Sequence, residues 1–149
     1  MTTDDLLTQL GLNLGLPRLA FDAQGCACLQ IDGQLRVNLE RDDEARAINL
    51  WSTLGPLPPE GREALYARLL AGNLFGHGTG GATLALDAEH AELVLCRTVP
   101  ADGTSAADFT ALLERFVAAA EDWQQRIAGG AATAGSTDDG AAAAGMMRV

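Results

Sequence analysis

Apolar and polar positions alternate along this chain with two different periods, and the switches between them mark out its elements. Leu6, Leu7, Leu10 and Leu14 recur at helical spacing behind Thr3, Asp4 and Asp5. This predicts a first helix capped by Thr3, with acids at the positive end of its dipole, and closed by Pro17. The period then becomes two. Ala27, Leu29 and Ile31 alternate with Cys26, Cys28 and Gln30, and Leu35, Val37 and Leu39 alternate with Gln34, Arg36, Asn38 and Glu40. With Asp32-Gly33 between them, these runs predict an antiparallel hairpin with a type I′ turn, one face buried and one wet. Ala45 to Leu54 reads as a third strand, with Ile48, Leu50 and Leu54 on one side and Trp51 on the other. That two-sided apolarity predicts a strand covered on both faces.

The pattern turns helical again from Pro59 to Leu74, where Leu65, Tyr66, Leu69, Leu70, Asn73 and Leu74 form an apolar surface broader than one face requires. A glycine-dense turn leads into two further strands, Ala82 to Asp87 and Ala91 to Val99. Thr104 or Ser105 then caps a last helix, with Phe109, Leu112, Leu113, Phe116, Val117, Ala120, Trp123 and Ile127 on one stripe. Residues 129–149 are dominated by Ala, Gly, Ser and Thr, too poor in large apolar side chains to offset the entropy of ordering. The expectation is one α+β domain over 1–128, built as α-β-β-β-α-β-β-α around a mainly antiparallel twisted sheet, followed by a disordered Ala/Gly-rich tail over 129–149.

Charge narrows the partners. The 149 residues carry 10 Lys and Arg against 20 Asp and Glu, a net charge of −10. Nucleic acid and anionic membrane are bound through basic patches, so this balance argues against both and favours basic partners. An odd count of three cysteines without a disulfide spacing suits a reducing cytoplasm. Met1 leads directly into polar residues, so no secretory leader is expected, and no apolar run is long enough to span a membrane.

Few residues carry recognisable chemistry. Gly76-His-Gly-Thr-Gly-Gly81 matches the dinucleotide-binding spacing, but that site needs a strand before the glycines and a helix after them. Here a predicted helix precedes and a strand follows, so the run reads as a helix terminus and tight turn. Cys26 and Cys28 share one strand face, but Cys96, His77 and His90 do not complete a paired zinc spacing, and the thiols read as apolar structural residues. His77 and His90 lack a recognisable nucleophile to serve. No enzymatic activity, metal or cofactor is expected. A protein-binding module working through apolar surface and sheet edges is.

The run Leu70-Ala-Gly-Asn-Leu-Phe-Gly76, then Thr79-Gly-Gly81, a Leu-x-Leu strand and a second Leu-rich strand, resembles the CesT/Tir-type (class I) chaperones of type III secretion. In element order the resemblance covers roughly residues 3 to 127. It implies a cytoplasmic bacterial homodimer that binds an extended, N-terminal segment of a secreted effector and keeps it export-competent, with the secretion ATPase as a further partner. Carried onto this chain, it implies client contacts at Leu6, Leu10, Leu14, Leu29, Ile31, Val37 and Leu39. It places dimer contacts at Leu65, Leu69, Leu93 and Leu95. A small homodimeric adaptor or regulatory protein binding a folded partner is the alternative.

Overall fold

The structure is a computed structural model and describes residues 1–132. Its elements are α1 (Thr3–Asn13), β1 (Cys26–Ile31), β2 (Leu35–Asp42), β3 (Ala47–Pro56), α2 (Arg62–Asn73), a short 3-10 turn (Leu74–Gly76), β4 (Thr83–Asp87), β5 (Glu92–Pro100) and α3 (Ala106–Ala132). The strands form a five-stranded sheet in the order β1-β2-β3-β5-β4. This is the expected α+β arrangement.

The chain divides into two compact units. The first holds residues 1–52 and 96–117. Its α1 starts one residue earlier than predicted. Thr2, not Thr3, is the cap: its hydroxyl accepts from the Asp5 N–H at 3.0 Å, and its own N–H donates to the Asp5 carboxylate at 2.9 Å. That reciprocal pair is a capping box. Leu6, Leu7 and Leu10 are buried. β1 and β2 pair from Cys26↔Glu40 to Ile31↔Leu35, and β2 pairs with β3 through Leu39↔Leu50 and Asn38↔Trp51. Asp32 and Gly33 both adopt the positive φ of a type I′ turn, closed by Gln34 N–H to Ile31 O at 3.1 Å. β3 begins at Ala47 rather than Ala45, because Arg46 sits at positive φ and Ala45 N–H is held by the Asp42 carboxylate.

In this unit β3 is fully covered on one face; on the other, Ala47 is buried, Asn49 half-buried and Trp51 exposed. Ile48, Leu50 and Ser52 are buried while Trp51 is exposed, which corrects the expectation of cover on both faces. The start of α3 is fixed by a second capping box, with Ser105 Oγ accepting from Asp108 N–H at 3.0 Å. Phe109, Leu112, Leu113 and Phe116 then face inward. Burying side chains of this size contributes on the order of 1.5–3 kcal/mol each.

The second unit holds residues 53–95 and the continuation of α3 from Ala118. Its α2 starts at Arg62, not at Pro59 or Glu60, because Gly61 at φ 70° breaks the helical path. It stops at Asn73, one residue short of the prediction. Leu65 and Leu69 are buried, as are Leu84, Leu93 and Leu95 of the strands and Ala120, Trp123 and Ile127 of α3. Trp123 is the anchor. Its Nε1–H donates to Gly78 O at 2.8 Å, and its ring lies where a Cβ on Gly72 would sit. α3 continues through Ala132, so residues 129–132, expected to begin the tail, are helical. The rest of the expected tail, 133–149, lies outside the described residues.

Candidate functional site

The residues expected to contact a client are mostly core. Leu6, Leu10, Leu29, Val37 and Leu39 are each at most 2 % exposed. The resemblance points to the first helix and early strands, and within them these leucines and Val37 lie on the inward face of each element, where a side chain with no accessible surface has little to offer a partner. Leu14 and Ile31 alone among that set retain exposure. The expected dimer contacts Leu65, Leu69, Leu93 and Leu95 are likewise buried within the chain itself.

The apolar surface available for binding lies beside those residues. At the end of α1, Leu12, Leu14 and Leu16 are exposed within five residues of chain. They are held there by a loop that doubles back onto the helix. Leu16 N–H donates to Gly11 O at 2.7 Å, and a Cβ at Gly11 would stand only 2.6 Å from Leu16 O. Nearby in the sequence, β1 forms one border of the sheet. Cys26 and Cys28 lie exposed on the open sheet face, which corrects their reading as apolar structural thiols. Arg36 Nε donates to Cys28 Sγ at 2.8 Å. The cross-strand row continues through Asn38 to Trp51, whose carbonyl accepts from Asn38 Nδ2 at 3.5 Å. The start of α1 is tied to β2 by Arg41, which contacts Asp4 at 3.3 Å and Asp43 at 2.9 Å and lies 5.6 Å from the centre of the Phe21 ring.

A second apolar group belongs to the end of α2. Leu70, Leu74 and Phe75 are 71 %, 62 % and 84 % exposed. Phe75 has φ 53°, a backbone conformation that bulky side chains rarely adopt, so the break after α2 presents this ring outward at a conformational cost. Leu70, Leu74 and Phe75 stand in the very motif that carries the sequence resemblance. The signal to select them over Leu65 and Leu69 was the excess width of the α2 stripe, which one buried face does not use.

Two carboxylates are perturbed. The Thr2 N–H, and then its hydroxyl, hold Asp5 below the usual carboxylate range. The His90 ring, and then its N–H, do the same for Asp87, which His90 Nδ1 approaches to 2.9 Å. Burial pushes the Cys96 thiol up. None of these sits in a constellation suited to catalysis, and among the described residues no group of three or more His, Cys, Asp and Glu side chains is placed to hold a metal ion. The glycine motif joins the end of α2 to the start of β4, the reverse of the dinucleotide-binding order. No helix among the described residues is long and apolar enough to cross a membrane.

Comparison with known proteins gives this surface a context. The chain is 36 % identical over 106 residues to the Chlamydia pneumoniae protein CPj0713/CpB0740, covering 70 % of this chain and 79 % of that one. Its fold superposes on a chain of the HopA1–SchA chaperone–effector complex with a TM-score of 0.68, at 21 % identity, over 81 % of this chain and 91 % of that one. It likewise superposes on a chain of the ExoT–SpcS complex from Pseudomonas aeruginosa, with a TM-score of 0.62 and 26 % identity over 78 % and 92 % of the two chains. The sequence profile of the Tir chaperone protein (CesT) family matches residues 5–124, and the chain belongs to that family.

Proposed function

We propose that this protein is a type III secretion chaperone that binds an extended N-terminal segment of a secreted effector and keeps it competent for export. The observation that carries the proposal is membership of a chaperone family across residues 5–124, on a fold similar to that of a chain from a chaperone–effector complex. The exposed apolar groups then have natural tasks. Leu12, Leu14 and Leu16, with Ile31 on β1, receive apolar side chains of the effector, while the border of β1 accepts its backbone as an added strand. Leu70, Leu74 and Phe75 form the contact between two copies, so the working unit is a homodimer in the bacterial cytoplasm. The net charge of −10 favours basic effector segments. Binding of this kind needs neither catalysis nor a cofactor, because the free energy comes from burial and strand pairing as the segment orders. Handover to the secretion ATPase follows as a property of the loaded chaperone.

The test is a pair of variants on exposed positions. Leu12→Asp with Leu16→Asp abolishes capture of an effector segment while the dimer persists. Leu70→Asp with Phe75→Asp gives a folded monomer by sedimentation. Undiminished capture by the first pair would overturn the assignment of the client surface, and an intact dimer in the second would overturn that of the dimer surface.

A further inference from the structure

The sheet ends in two borders, β1 and β4, and the two are finished differently. On β4 and the residue before it, the backbone groups directed away from β5 belong to alternate residues, Ala82, Leu84 and Leu86. Leu84 N–H donates to Asn73 Oδ1 at 2.7 Å, and Leu84 O accepts from Asn73 Nδ2 at 2.9 Å. A side-chain amide thus makes the same two bonds that a residue of an incoming strand would make. One step earlier, Ala82 N–H donates to Thr79 O at 3.2 Å, and Ala82 O accepts from the Thr79 hydroxyl. Thr79 is fully buried. The glycine turn lets the chain double back this tightly, since a Cβ on Gly76 would lie 3.0 Å from Gly81 Cα and one on Gly78 would lie 2.9 Å from the Gly72 backbone.

Among the described residues, β1 is blocked only at its start. Cys26 N–H donates to the Asp22 carboxylate at 2.9 Å, and Asp22 N–H donates to Cys26 O at 2.8 Å. The alternation that turns Cys26 outward also turns out the backbone groups of Cys28 and Gln30. Among the described residues no comparable plug meets those two, whereas on the β4 border Leu86, next to the strand's end, is the one outward residue left without one.

We infer that Asn73 and Thr79 close the β4 border to added strands, so that strand addition is confined to β1. An open border pairs with whatever extended chain it meets, and a protein that handles unfolded segments meets them constantly. Closing one border therefore sets where an effector segment enters and prevents chains from joining edge to edge through β4. The confinement to β1 rests on the strand-addition reading proposed above; the closure of β4 rests on the bonds themselves.

The test is amide hydrogen exchange on the full chain, with and without a synthetic peptide of about ten residues alternating Val and Lys, the length and pattern of one strand. Without peptide, Asn73→Ala speeds exchange at Leu84 by about tenfold, as loss of one hydrogen bond predicts, and leaves Phe116 in α3 unchanged as a control on folding. With peptide, the parent chain slows at Cys28 and Gln30 but not at Leu84 or Leu86, whereas Asn73→Ala slows at all four. Asn73→Leu keeps the side-chain size and removes both amide bonds to Leu84, so it carries the same test should Asn73→Ala not fold; it gains peptide protection at Leu84 and Leu86. Leu84 exchanging equally fast in parent and Asn73→Ala, or peptide protection at β4 in the parent, would overturn the closure. Absence of protection at β1 in the parent would instead defeat the strand-addition reading, while acceleration at Leu84 without peptide would still support closure of β4.

Discussion

Gly72 offers the sharpest test of how the second unit is packed. It lies within α2, where replacing Gly by Ala ordinarily stabilises a helix by about 1 kcal/mol. Here the added Cβ would stand 2.5 Å from Trp123 Cζ2, 3.1 Å from Cη2 of the same ring and 3.3 Å from Leu84 Cδ1. The ring has no easy retreat: Trp123 is 1 % exposed, and its Nε1 is tethered to Gly78 O. Forcing a methyl into such a site costs about 1–3 kcal/mol and more where neighbours cannot move. The clash therefore outweighs the helix gain, and Gly72→Ala destabilises by about 1–2 kcal/mol. At roughly 2–4 °C per kcal/mol for a chain of this size, the melting temperature falls by roughly 2–8 °C. The assay is thermal and urea unfolding at one fixed protein concentration, which keeps any effect of the proposed self-association constant. Gly129→Ala is the control. It is helical, and its Cβ meets nothing within 4 Å, so it should stabilise by up to about 1 kcal/mol. Equal or greater stability in Gly72→Ala would refute the packing of Trp123 against α2.

Other consequences follow from single contacts. Trp123→Phe keeps an aromatic ring but leaves Gly78 O without its donor; it should cost about 1–3 kcal/mol and speed hydrogen exchange across residues 76–81. Thr2→Ala removes the capping box of α1 and should cost about 1 kcal/mol in urea unfolding. In the same variant the Asp5 carboxyl, followed by NMR titration, should move up toward the ordinary carboxylate value as its Thr2 hydroxyl partner disappears. Asp87 is likewise depressed in the folded chain, so its contribution to stability is present above the ordinary carboxylate pKa of 3.8 and is lost as pH falls below that value. His90→Ala should raise the Asp87 midpoint and erase its share of that acid-limb loss. An unchanged Asp87 midpoint would refute the pairing.

The sequence was most legible where one periodicity met one capping or turn signal. The hairpin around Asp32-Gly33 and the long stripe from Phe109 to Ile127 are examples, because alternation and helical spacing report directly which face is buried. Element ends shifted wherever a backbone conformation decided them: Gly61 in the left-handed region delays α2, and Arg46 at positive φ delays β3. The proposed binding surface was the least legible part. The resemblance points to elements, and within each element the regular apolar positions it falls on, Leu10, Val37, Leu65 and Leu93, are those that hydrophobic periodicity packs inside. The exposed Leu12, Leu16, Leu70 and Phe75 sit off those stripes, and only their surplus over what a core requires marks them. Asn73 could not be read in advance either, since its partner Leu84 is supplied by the turn between them.

The central claim is tested most directly by purifying the tagged chain with its partner from the bacterium that encodes it and measuring the complex by native mass spectrometry and limited proteolysis. The account predicts two copies of this chain bound to one secreted protein, with a single protected stretch near that protein's N-terminus. A partner protected throughout as a folded domain, or a chain recovered as a monomer without a protein partner, would contradict it.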